Sequence, residues 1–238
     1  MTKEQLPART ELRARVYKLL SDCFQSPDAE FPERMRELPV LLDALHPDIR
    51  LEVPDMPGLT DDTDIKDMPD AAGAGSFLEQ LKVEHARLFI GPFSLPVPPY
   101  GSMYLDPEQH LMSESTKDVH RWYLSEGIET AMKEMPDHIC VELEFLYLLA
   151  YRELKSLEGA EQPGDAVQAD LAAPATYRDK QRRFLEQHLG RWAPAFEEKV
   201  REHTGQEHPM SAPYRELAVA TRRFLAADLE ELRRDIPG

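Results

Sequence analysis

Asp137 and His138 stand directly before a long apolar run, and packing gives no reason for two polar residues there. A carboxylate at such a point can hold a cation, and an imidazole can donate, accept or carry a proton. Plainer readings exist for both: Asp137 as a charge set against the positive end of a helix dipole, His138 as a satisfied polar residue. Other chemistries are poorly served. No glycine is followed by lysine, and Gly73 with Gly75 lacks the third member of a phosphate-cradling loop. None of the eight histidines has a glutamate three residues before it or a histidine four residues away, the spacings that put metal ligands on one helical face. There is no Gly-x-Ser-x-Gly elbow, although a serine, histidine and acid that meet only in space stay open. The expectation is no catalytic residue, no metal and no cofactor.

Bulk charge points the same way. Twenty-eight basic against forty-four acidic residues give a net charge of -16, the wrong sign for nucleic acid or an anionic membrane. The acidity favours a cationic partner or serves only solubility. Cys23 and Cys140 both fall inside apolar helical patterns, so neither a disulfide framework nor a thiolate zinc site is supported, and a reducing, cytoplasmic setting is expected. The first residues show no continuous apolar stretch of a signal peptide. Residues 88–105 are uncharged, but four prolines and two glycines rule them out as a spanning helix.

The element that must position Asp137 and His138 is residues 136–157, PDHICVELEFLYLLAYRELKSL. Pro136 suits a first helical position, and Ile139, Leu143, Leu146, Ala150 and Leu157 recur at helical spacing. Cys140, Val141, Phe145, Leu148 and Leu149 widen the arc to that of a central core helix. Upstream, Leu12, Val16, Leu19, Leu20 and Cys23 mark a first helix with Thr10 as cap and Ser26-Pro27 as stop. A weaker helix over 31–45 is interrupted at Pro39, and 46–75 reads as a long mobile loop rich in Pro, Asp and Gly.

Ser76 to Glu79 form a capping box that opens a helix through Phe89, with Leu78, Leu81, His85 and Leu88 inward. After Gly91 comes a proline-stiffened loop bearing Phe93, Tyr100 and Tyr104, either packed on the body of the protein or offered to a ligand. Ser115 is the expected cap of the next helix, which carries Val119, Trp122 and Tyr123 and ends at Gly127. A second mobile loop is expected over 159–173, then a helix from Thr176 closed by Gly190. Pro194 and Pro213 are read as first-turn prolines of two more, the last bearing Leu217, Thr221, Phe224, Leu225, Leu229 and Leu232. No period-2 strand appears. The fold class is therefore all-α, a single globular helical domain over 1–238 with roughly nine or ten helices.

Two blocks together resemble the TorD/DmsD family of cytoplasmic chaperones for molybdenum oxidoreductases: LFIGPFSLPVPPYGSMYLDPE over 88–108 and PDHICVELEFL over 136–146. The EST segment at 114–116 and HLGRW at 188–192 are also similar, so the resemblance covers nearly the whole chain. It implies a TorD-like helical domain that is not an enzyme. Such a domain binds the twin-arginine signal peptide and apo form of a molybdopterin-containing oxidoreductase until cofactor insertion and export. The implied signal-peptide positions are Leu88, Phe89, Pro99, Tyr100, Tyr104, Asp137 and His138. The chain departs from the DmsD-like branch where tryptophans commonly stand at Tyr100 and Tyr104 and an aromatic at His85, although the amphipathic rings are kept. A monomer is expected, with a dimer as the alternative. The competing function classes are an all-helical enzyme and an unrelated peptide-binding adaptor. Guanine nucleotide binding, proposed for some members of the family, has no motif here.

Overall fold

Ile139, Leu143, Leu146, Leu149 and Ala150 are completely buried, which makes the helix that carries them the axis of the molecule. The computed structural model describes residues 5–54, 77–91, 95–106, 108, 111–128, 135–161 and 172–234. The described residues form nine α-helices: α1 (Leu6–Phe24), α2 (Phe31–Leu45), α3 (Phe77–Phe89), α4 (Ser102–Leu105), α5 (Glu114–Ser125), α6 (Ile139–Glu161), α7 (Pro174–Gln187), α8 (Leu189–His203) and α9 (Ala212–Arg234). A short 3-10 helix, Pro209–Ser211, leads into α9. Among the described residues there is no strand, only one isolated antiparallel bridge between Tyr100 and His138. The all-α expectation holds.

α6 packs along α1 and against α7, while α8 lies on α9 and carries α4. One continuous apolar cluster joins all the longer helices, from Tyr17 and Leu20 through Phe145 and Phe184 to Phe224. Each fully buried large side chain contributes roughly 1.5 to 3 kcal/mol, so this cluster dominates the stabilising side of folding. A polar seam crosses it. The guanidinium of Arg13 on α1 reaches Asp228 on α9, Glu153 on α6 and Gln181 on α7, all fully buried.

Several boundaries differ from the sequence expectation. Thr10 does not cap α1; Pro7 lies in the first turn, and Thr10 is a buried interior residue whose hydroxyl is 3.5 Å from Glu153 Oε1. Pro39 does not interrupt α2: burial of Met35, Leu38, Leu41, Leu42 and Leu45 on one face outweighs the roughly 3 kcal/mol an interior proline costs. Ser115 lies inside α5 and hydrogen-bonds Asp106, as does Ser113, the N-cap. Gly127 follows α5 with φ +70, the left-handed exit expected of it.

α6 begins at Ile139 and not at Pro136, because the backbone of 137–139 is engaged with residues 99–101 and cannot enter the helix. It runs through Glu161, past the expected loop start at 159. α7 opens at Pro174, two residues before Thr176. Gly190 does not close α7; the break falls at His188, and Gly190 lies in the first turn of α8, where a Cβ would stand 2.4 Å from the carbonyl oxygen of Leu185. Pro194 is an interior residue of α8, whereas Pro213 is in the first turn of α9 as expected. Most of the expected loop at 46–75, the Ser76 cap, Phe93 and residues 162–171 lie outside the described residues.

Candidate functional site

The two sequence blocks meet at one seam. Gly101 N donates to the carbonyl of Asp137 at 2.8 Å and Ile139 N to the carbonyl of Pro99 at 2.8 Å, which closes the bridge between Tyr100 and His138. Their rings meet edge to face, 5.1 Å between centroids. Asp137 Oδ2 accepts from Ser102 N at 2.9 Å at the start of α4, a carboxylate at a helix N-terminus, but of α4 instead of α6. At the other end of the segment Val97 N donates to the Leu88 carbonyl at 3.1 Å, tying the proline-rich stretch to α3.

Tyr104 joins the seam to the core. Its hydroxyl donates to the Pro98 carbonyl at 2.8 Å, and its ring stacks on Trp192 of α8 at 5.6 Å and 12°. Phe196 is shared by Tyr104, Trp192 and Phe89, and Phe89 in turn packs on His85 and Tyr214. The seven residues expected to line a peptide site therefore form one connected region. Leu88, Phe89, Pro99 and Asp137 are buried in it; Tyr100, Tyr104 and His138 are partly exposed.

Charge beneath the seam is unusual. Glu142, one turn into α6, is fully buried; its Oε1 accepts from Trp192 Nε1 at 3.2 Å. Burial, then the charge of Asp137, hold its carboxyl well above the usual range, against the opposing bond from Trp192. Gly101 sits over this pair: a Cβ there would lie 3.0 Å from Trp192 Nε1 and 3.1 Å from Glu142 Oε1. Among the described residues Asp137 Oδ1, Glu142 Oε2 and Ser102 Oγ are buried with no hydrogen-bond partner. His138, whose Nδ1 accepts from Cys140 N at 3.2 Å, is lowered to about 4 by burial and then by His85, and is neutral at physiological pH. His85 is also lowered by burial, opposed by its bond to the Phe24 carbonyl.

Sequence reasoning missed Glu142, Trp192, Gly101 and Ser102 as parts of this site. A signal for Glu142 existed: it shares a helical face with Ile139, Leu143 and Leu146, so an acid there must be buried or satisfied. Nothing in spacing brings Trp192 to it; only the fold does.

Among the described residues one other group has metal-ligand geometry: donor atoms of His46, Asp228 and Glu231 lie within 4.8 Å of one another. Both carboxylates are already bonded to guanidiniums, Asp228 to Arg13 and Glu231 to Arg9. Cys23 and Cys140 are buried free thiols, and burial pushes the Cys23 thiol up to about 12, so it is inert as a nucleophile. No helix of the described residues is long and apolar enough to cross a membrane.

Comparison with known proteins agrees with the motif blocks. The family model described as nitrate reductase delta subunit matches residues 55–198. The Tat proofreading chaperone DmsD of Salmonella typhi is 32% identical over 145 residues, 60% of this chain and 59% of that protein, so the alignment spans less than two thirds of the relative. The Tat proofreading chaperone DmsD of Salmonella paratyphi A is 44% identical over 62 residues, 25% of this chain and 30% of that one. A crystal structure from Archaeoglobus fulgidus, assigned to a redox enzyme maturation protein, covers 90% of this chain and 93% of its own at 23% identity and a TM-score of 0.46. The family match over more than half of the chain, with the 88–108, 136–146 and 188–192 segments meeting at one seam, shows that this chain belongs to the nitrate reductase delta subunit family, the TorD/DmsD family.

Proposed function

We propose that this chain is a redox-enzyme maturation chaperone of the cytoplasm, one helical domain that is not itself a catalyst. It binds the twin-arginine signal peptide and apo form of a molybdopterin-containing oxidoreductase and holds them until cofactor insertion and export. The observation that carries the reading is the bridge between Tyr100 and His138, which joins the two motif blocks and sets an aromatic edge in the same seam as a buried carboxylate, Asp137. A twin-arginine signal offers a cationic head followed by an apolar stretch. Here Tyr100, Tyr104 and His138 supply an accessible amphipathic edge, and a net charge of -16 supplies the attracting field. Leu88, Phe89, Pro99 and Asp137 lie behind that edge, so a peptide reaches them only when residues 98–106 shift outward.

Titration calorimetry with a twin-arginine peptide tests this. The expected result is saturable stoichiometric binding, about -8 kcal/mol if micromolar, with a negative heat-capacity change from apolar burial. Failure to bind any twin-arginine peptide, including that of a molybdoenzyme encoded beside this chain, defeats the reading.

A further inference from the structure

We propose that Glu142 is a second carboxylate of the arginine seat: one guanidinium of the signal peptide is received between Asp137 Oδ1 and Glu142 Oε2 once residues 99–102 lift from them. The proposal rests on the peptide-binding reading above and adds to it a residue and a proton. Burial and incomplete hydrogen bonding converge on the same two side chains. Both carboxylates are completely buried, and each has one oxygen satisfied, Asp137 Oδ2 by Ser102 N and Glu142 Oε1 by Trp192 Nε1. The other oxygen of each has no partner among the described residues, nor has the adjacent Ser102 hydroxyl. Once both groups are ionised these two oxygens are unpaired buried acceptors, a costly state that a donor with more than one N–H relieves. A guanidinium, planar and carrying five donors, can serve two neighbouring carboxylates at once better than an ammonium does.

The cover is also of the right kind. Gly101 lies over Glu142 and Trp192 with no side chain, its Cβ position 3.1 Å from Glu142 Oε1, and the segment is held by main-chain bonds to Asp137 and by the stacking of Tyr104 on Trp192. Trp192 holds Glu142 from α8, and the Tyr123 phenol, donating to the Pro136 carbonyl at 2.7 Å, approaches from α5. Neither supplies a positive charge. Among the described residues the groups that face Glu142 are thus Asp137, Trp192 and Tyr123, and the nearby His138 is neutral above about pH 4.

With a like charge beside it and no cation against it among the described residues, the Glu142 carboxyl is held well above the usual carboxylate range, which favours its neutral form in the free protein. An arriving guanidinium favours the ionised form, so the Glu142 proton leaves to solvent as the peptide binds. The plainer alternative is an acid pair that shares a proton and only supports the fold.

The experiment is calorimetry on the full chain with a twin-arginine peptide and with peptides in which each arginine in turn is replaced by citrulline, in two buffers of different ionisation enthalpy. Glu142→Gln mimics the protonated side chain and keeps an acceptor for Trp192, so its fold is expected to survive. The proposal expects wild-type binding to release a proton. It expects Glu142→Gln to bind the arginine peptide about tenfold or more weakly without proton release, and expects that penalty to vanish with one of the citrulline peptides. Wild-type binding without proton release overturns it, as does a Glu142→Gln chain with unaltered affinity or with the same penalty for every peptide. If Glu142→Gln does not fold, the wild-type chain decides: the proposal expects its proton release to disappear with one of the citrulline peptides, and proton release that is the same with every peptide overturns it. A wild-type chain that binds none of the peptides defeats the peptide-binding reading itself, a result distinct from wild-type binding that ignores Glu142.

Discussion

Arg13 and Asp228, 215 residues apart in sequence, form a two-pronged ion pair at the centre of the helical core, Nε to Oδ1 at 2.5 Å and Nη2 to Oδ2 at 2.9 Å. The Tyr17 hydroxyl also donates to Asp228 Oδ2 at 2.6 Å. Burial works against the Asp228 carboxylate, yet Arg13 and Tyr17 together hold its pKa below the ordinary value. Asp228→Ala leaves a buried guanidinium with only part of its compensation and is expected to cost about 3 to 5 kcal/mol, read from urea unfolding. The sign with pH follows: a depressed carboxylate stabilises the fold above its unfolded value of about 3.9, and that contribution is lost as pH falls through the folded value. The variant should therefore lose stability less steeply than the wild type in strong acid.

Gly190 lets α8 turn back against the end of α7. Its substitution by alanine drives a Cβ to 2.4 Å from a backbone oxygen that no side-chain rotation can move. Gly190→Ala is expected to destabilise by about 1 to 3 kcal/mol, measured as a lower urea midpoint with an unchanged slope. An unaltered midpoint would mean that the junction yields freely.

Tyr100 and Tyr104 should separate binding from folding. Tyr100 is partly exposed at the bridge, whereas Tyr104 is clamped by Trp192 and the Pro98 carbonyl. Tyr100→Ala is expected to weaken a twin-arginine peptide by about 2 kcal/mol with little change in melting temperature, if this ring is an anchor of the interface. Tyr104→Ala should lower the melting temperature as well. Asp137→Asn is expected to cost about 1.5 to 3 kcal/mol in affinity through the loss of a charge-assisted bond, while an amide oxygen still accepts from Ser102 N. Intact affinity in both Tyr100→Ala and Asp137→Asn removes this seam from the peptide site.

His138 gives the site its own acid sensitivity. Folded, it is lowered to about 4 by burial and His85; unfolded, it titrates near about 6.5. Above that value both states are neutral and the group is silent. As pH falls from there toward 4 the unfolded chain binds a proton that the folded chain refuses, so stability is lost, by about 2 kcal/mol at pH 5. His46, His85 and His188, also lowered chiefly by burial, act in the same direction. Denaturation at pH 7 and pH 5 should show the drop, and His138→Gln should reduce it by about 1 to 2 kcal/mol. An equal drop in the variant would place the sensitivity on the other histidines.

Periodicity along the chain determined the helices. The repeat of Ile139, Leu143, Leu146 and Ala150 identified the central helix because a 3.6-residue period is a local property, and the Pro/Gly/aromatic string at 88–108 identified the site's cover because its composition is unlike that of a packed helix. Helix ends were less legible. Pro136 and Asp137 satisfy every local rule for starting α6, yet their backbone is claimed by residues 99–101 from elsewhere in the sequence. Pro39 satisfies the local rule for ending α2, yet burial of the face around it prevails. Only tertiary structure could bring Trp192 to Glu142, stack Tyr104 on Trp192 and set Asp137 at the head of α4 in place of α6. Those contacts join residues 35 to 88 positions apart, and no pattern in a single sequence encodes which distant residues share a buried space once the helices pack.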